Sequence, residues 1–163
     1  MLDHQKRIVQ ATVPVLQQRG ETITRVFYQL VLEAHPELAP IFNPRDQSDG
    51  AQAKRLAAAI LAYAGNIDRL DLLGGAVTNI GQRHVSLNVR PEHYPIVGKH
   101  LLEAIQTVLG DAATPEILDA WTAAYAQLAE IMIARENLMY VEAFETPQPD
   151  ESTFPGSEYE AAH

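Results

Sequence analysis

Apolar positions along the chain recur at steps of three and four, and no run of Val, Ile, Thr and aromatic residues alternates long enough to make a strand, so the pattern predicts an all-α domain. Ile8, Thr12, Val15 and Leu16 share the inner side of a first helix, which Asp3 caps and which runs to about Gln18, with Pro14 kinking it and Gly20 ending it. Ile23, Val26, Phe27, Leu30 and Val31 mark a second helix from about Glu21 to Ala34, stopped by Pro36. Pro36, Pro40 and Pro44 then enclose a short helical turn ending in Ile41 and Phe42. The polar segment 43–50 is expected to be a loop. It leads into a helix from about Ala51 to Asn66, in which Gln52, Leu56, Ala59, Ile60 and Tyr63 share a face, so the Gln52 amide stands at one end of an apolar stripe.

Gly74 and Gly75 interrupt the next segment, after which Val77, Ile80 and His84 share one face of a shorter helix; residues 88–91 form the connection that follows. A helix from about Pro91 to Leu109 turns Tyr94, Val97, Leu101, Ile105 and Val108 inward, and Gly110 closes it. Thr114 caps the last helix and Pro115 takes its first position, with Leu118, Trp121, Tyr125, Leu128, Met132 and Met139 inward. Glu136 falls in that same stripe. From residue 147 the chain holds three Pro, four acidic residues and no Lys or Arg, and is expected to be a disordered acidic tail beyond one domain over 1–146.

With 163 residues and 47% hydrophobic composition, the chain is long enough to bury one sizeable core. Twelve Lys and Arg against 21 Asp and Glu give a net charge of −9, which leaves no basic footprint for nucleic acid. The absence of Cys excludes disulfides, thiolate zinc sites, iron–sulfur clusters, thiolate-ligated haem and C-x-x-C-H haem attachment. Any metal must be held by His or carboxylate. No apolar run approaches a membrane span and the N-terminus lacks a secretory apolar core, so the chain reads as soluble and cytoplasmic.

The glycine-containing run 74–84 is neither G-x-G-x-x-G nor a P-loop, and H-E-x-x-H is absent. His93 and His100 are seven residues apart on one helix, about 10.5 Å at the standard rise, too far to share one ion. Glu136 is the most informative residue, because a carboxylate in an apolar stripe needs donors. His84 and Tyr94 could supply them. Periodicity alone favours Glu136 turning outward beside Arg135, with His84 a half-buried core imidazole and Tyr28 and Gln52 ordinary half-buried polar residues. Trp121, Tyr125 and the Met positions read as core.

ATVPVL at 11–16, FY at 27–28, HPEL at 35–38, Phe42, Gln52 with Leu56, HYPIVG at 93–98 and LGDAATPEILDAW at 109–121 closely resemble the globin domain of flavohaemoglobins and single-domain bacterial haemoglobins. The match runs in order over about residues 2–144, and HYPIVG nine residues after His84 is its most specific element. The resemblance implies a globin fold with a haem b pocket. His84 would be the proximal iron ligand, with Tyr94 and Glu136 hydrogen-bonded around its ring. Tyr28 would donate to bound gas, Gln52 assist, Leu56 restrict the pocket, and Phe42 and Val97 contact the haem.

The implied activity is reversible O2 binding and, given electrons, oxidation of nitric oxide to nitrate, with CO as a further ligand. The alternative is O2 storage or delivery, or gas sensing through a partner. Flavohaemoglobins continue into FAD- and NAD-binding domains that these residues have no room for, so a separate flavin/NADH reductase is expected. Asn88 replaces a Gly common in the family's proximal turn, and Arg83 stands where a Lys is frequent beside the flavin. A homodimer is expected by analogy only.

Overall fold

Pro14 decides where the first helix breaks. It has no N–H to donate and restricts the residue before it, so it is tolerated only in the first turn of a helix. In the computed structural model, which describes residues 1–42 and 50–145, α1 spans Asp3–Ala11 and α2 restarts at once over Val13–Ala34, with Pro14 in its first turn. The break therefore falls at Thr12 rather than at Gly20. Gly20 lies inside α2 and is buried, and a Cβ there would make ordinary contact with the Cβ of Ala57 at 3.7 Å. Asp3 does not cap α1 either: Leu2 precedes the helix, and the Leu2 N–H donates to Gln5 Oε1 at 2.9 Å.

A 3-10 segment, Pro36–Ile41, occupies the proline-rich corner. Beyond it lie α3 (Ala51–Gly65), a 3-10 turn Leu70–Leu73, α4 (Gly74–Ser86), α5 (His93–Leu109), a 3-10 turn Gly110–Ala112 and α6 (Pro115–Glu145). Among the described residues there is no strand, in keeping with the all-α expectation. The predicted loop over 43–49 and tail over 147–163 lie outside the described residues. Gly74 and Gly75 open α4, whereas Pro91 precedes α5 in a separate turn, its carbonyl accepting the Tyr94 N–H at 3.2 Å. At Thr114 the expected cap forms, its hydroxyl accepting the Ile117 N–H at 3.3 Å.

Helix α2 is the centre of the packing, lying against both α3 and α5, while α6 packs on α1, α4 and α5. Phe27, Ile23, Val31, Ile67 and Val9 are the largest fully buried apolar side chains of the core. Buried polar groups tie the layers together. Thr24 Oγ1 donates to the Ala53 carbonyl at 2.8 Å, which fixes α2 against the first turn of α3. Trp121 Nε1 donates to Thr12 Oγ1 at 3.2 Å, and the Tyr63 hydroxyl to the Ala124 carbonyl at 2.8 Å. Burial pushes the Tyr63 phenol up to about 12, so it remains a donor there.

Candidate functional site

Three helices deliver one hydrogen-bonded group. His84 ends the inward face of α4, Tyr94 stands in the first turn of α5, and Glu136 projects from α6. Glu136 Oε1 accepts from the Tyr94 hydroxyl at 2.7 Å and lies 2.6 Å from His84 Nδ1; the Tyr94 oxygen is 3.1 Å from the same nitrogen. Glu136 is 2% exposed, so it does not turn outward beside Arg135 as periodicity alone favours. Arg135 instead reaches Thr78 Oγ1 on α4 at 2.8 Å. Two donors on one oxygen satisfy a carboxylate that would otherwise be costly to bury.

The same contacts set the proton on the imidazole. A carboxylate only accepts, so with Glu136 ionised the proton sits on His84 Nδ1, and the lone pair stays on Nε2. Burial, reinforced by Glu136 itself, holds the Tyr94 phenol well above its ordinary value, and Tyr94 stays a donor.

The connection between α4 and α5 is pinned from α6. Asn88 takes a left-handed backbone with φ of 61°, which Asn tolerates better than most residues and which accounts for Gly being acceptable there. The Tyr140 hydroxyl donates to the Val89 carbonyl at 2.7 Å, and the Arg90 guanidinium lies 4.2 Å over the Tyr140 ring. Gly81 lets α4 approach α6, since a Cβ there would meet Met139 Cε at 3.1 Å. The Tyr125 hydroxyl donates to the Tyr94 carbonyl at 2.6 Å. Tyr125 and Tyr140 were not legible as site residues, because a hydroxyl meeting a distant carbonyl leaves no trace in spacing; the glycine of HYPIVG is the one available hint.

On α2, Tyr28 packs edge-on against Phe42, ring centres 5.3 Å apart, and Phe27 against Tyr28 at 4.9 Å. Burial pushes the Tyr28 phenol up, with Arg55 pulling weakly the other way, so its hydroxyl keeps its proton. Leu56 and Val97 are half-buried against the same core as Tyr28 and Phe42. Gln52 is half-buried one turn before Leu56, and its Oε1 is buried with no hydrogen-bond partner. Tyr28 therefore does not donate to Gln52; the structure brings His84, Tyr94 and Glu136 into direct contact but leaves Gln52 without such a link.

A model of the globin family matches residues 25–132. The chain belongs to the globin family. It is 62% identical over 136 residues to a flavohemoprotein of Deinococcus radiodurans, covering 83% of this chain and 34% of that protein. An engineered carbene transferase from Rhodothermus marinus, described as a candidate nitric oxide dioxygenase, superposes with a TM-score of 0.83 at 33% identity, covering 89% of this chain and 99% of that one. A flavohemoglobin of Malassezia yamatoensis with bound FAD and heme superposes with a TM-score of 0.80 at 36% identity, over 86% of this chain and 37% of that one. The chain thus spans about a third of the length of the curated relatives it matches.

Two observations fit a haem in this globin. His84 is an imidazole whose outer nitrogen is already committed, as a metal-ligating histidine requires. Gln52 Oε1 is a buried acceptor still lacking a partner. Among the described residues no group of three or more His, Asp or Glu is placed to hold a metal ion. No helix among them is long and apolar enough to cross a membrane.

Proposed function

We propose that this globin binds haem b through His84 Nε2, binds O2 reversibly, and oxidises nitric oxide to nitrate when a separate flavin/NADH reductase supplies electrons. The 2.6 Å contact between His84 Nδ1 and the buried Glu136 carries this reading. Bound haem supplies an iron centre for gas binding and one-electron chemistry. The chain supplies the rest. Glu136 draws on the Nδ1 proton and makes the imidazole a stronger donor, a setting that favours oxidised iron over passive storage. Tyr94 holds the carboxylate in place from the other side. Tyr28 would offer a protonated hydroxyl to the gas and Gln52 its side-chain amide, Leu56 would limit the space, and Phe42 and Val97 would contact the haem.

The reaction balances as NO plus O2 plus one electron giving nitrate, so each turnover needs an electron from outside these residues. The test is NO consumption by the haem-loaded chain with NADH, with and without an added flavin reductase. Expected is about one NO per haem and then arrest without reductase, and sustained turnover with it. A basic reductase should dock best on a chain of net charge −9, and should lose rate as salt rises. Sustained turnover on NADH alone overturns the need for a reductase. Reversible O2 binding without turnover on any reductase shifts the reading to storage or to sensing through a partner.

A further inference from the structure

The end of α4 closes on the proposed iron ligand. His84 is the third residue from that end, and Asn88 takes its left-handed backbone two residues beyond it. The Val89 N–H donates to the His84 carbonyl at 2.9 Å and the Asn88 N–H to the Val85 carbonyl at 3.1 Å, the paired bonds by which a left-handed residue stops a helix. The backbone of His84 is thus held by Val89, and Val89 is held in turn from α6. Its carbonyl accepts the Tyr140 hydroxyl at 2.7 Å, and the residue is 8% exposed, so water is a poor substitute for that donor. The Arg90 guanidinium lies over the Tyr140 ring, 4.2 Å from its centre. Burial raises the Tyr140 phenol, with Arg90 pulling it down and Glu136 pushing it up, so it keeps the proton it donates.

Tyr140 lies four residues beyond Glu136, one turn further along the same face of α6. One helix therefore holds His84 at both ends. Glu136 takes its ring nitrogen at 2.6 Å, and Tyr140 takes its backbone through Val89. We propose that Tyr140 is a positioning residue, which fixes the cap after His84 so that the imidazole meets Glu136 at this short distance. A hydrogen bond to an ionised acceptor weakens as it lengthens or bends, so a cap free to move would cost the ring part of the donor strength that Glu136 confers. The consequence for iron rests on the proposed haem ligation. The effect on the Glu136–His84 contact does not.

The test is Tyr140→Phe in the full chain, which keeps the ring beside Arg90 and removes only the hydroxyl. In the haem-free chain, 1H–15N correlation of the His84 ring should show the Nδ1 proton moving upfield as its bond to Glu136 lengthens. In the haem-loaded chain the reduction potential should rise and the iron–histidine stretch fall, in the same direction as for Glu136→Gln but by less. Added to Glu136→Gln, Tyr140→Phe should shift the potential no further, because the contact it positions is already gone. Tyr63→Phe is the control: it loses the same kind of hydroxyl–carbonyl bond, to Ala124, and should leave the His84 proton and the potential unchanged. An unmoved Nδ1 proton in Tyr140→Phe overturns the proposal, and so does a potential that rises equally in the unaltered and Glu136→Gln backgrounds. A moved proton in a chain whose haem His84 does not ligate upholds the positioning and overturns the haem reading instead.

Discussion

A Cβ on Gly98 would run into Cε1 and Cδ1 of the Tyr125 ring, so the two residues compete for one space between α5 and α6. Because Tyr125 in turn donates to the Tyr94 carbonyl, this glycine sets the position of the residue that holds Glu136 and His84. Gly98→Ala must push the Tyr125 ring aside, and such overpacking typically costs about 1–3 kcal/mol. Tyr125→Phe keeps the ring and loses only the hydrogen bond, worth about 1 kcal/mol. Urea unfolding should therefore rank Gly98→Ala as the more damaging change; the reverse order would mean that the contact relaxes without effect.

Glu136→Gln keeps the shape of the group but not its charge. A neutral amide cannot strengthen the His84 ring as a carboxylate does, so the reduction potential of bound haem should rise and the iron–histidine bond weaken. Changes of this kind alter affinity or activity by about 10- to 100-fold. Resonance Raman of the ferrous protein reads the bond directly. A stretch no lower than that of the unaltered chain would make Glu136 a structural residue only.

Tyr28→Phe should release O2 roughly 10- to 150-fold faster, since a hydrogen bond to a partly charged acceptor is worth about 1.5–3 kcal/mol. Bound CO is less polar and should change far less. Stopped-flow dissociation rates decide it. A small effect here with a large one from Gln52→Leu would give Gln52 the donor role.

Alkaline pH should unfold the chain through its buried phenols. Tyr63 rises from an ordinary value of 10 to about 12 through burial, and Tyr28, Tyr94 and Tyr125 are also raised. A raised folded value means the unfolded chain loses its phenolic protons first. The stability Tyr63 contributes is therefore complete below pH 10 and is lost as the pH climbs through about 12, and that of the other three is lost at still higher pH. Tyr63→Phe should be less stable at neutral pH, having lost the bond to Ala124, yet should lose less between pH 10 and 12. Circular dichroism against pH with urea measures both, and identical alkaline slopes would remove Tyr63 from the account.

The sequence carried the helices well because their apolar stripes are continuous and their ends are marked by Gly110, Thr114 and Pro115. It misplaced the first break because Gly20 looks like a helix end, whereas the chain restarts a helix around Pro14, at Thr12. For Glu136, periodicity posed the question of a partner and offered His84 and Tyr94 as possible donors, and the resemblance implied that both bind it. Only the packing of three helices put both on one oxygen.

His84 is the proposed haem ligand, and one titration tests that role most directly. The unaltered chain and His84→Ala are each titrated with haem while the Soret absorption is followed and the ferrous spectrum recorded. The unaltered chain should develop an intense Soret band saturating at one haem per chain, and His84→Ala should lose tight binding while keeping its helical circular dichroism. Equal haem stoichiometry and an unchanged ferrous spectrum in His84→Ala would contradict the account.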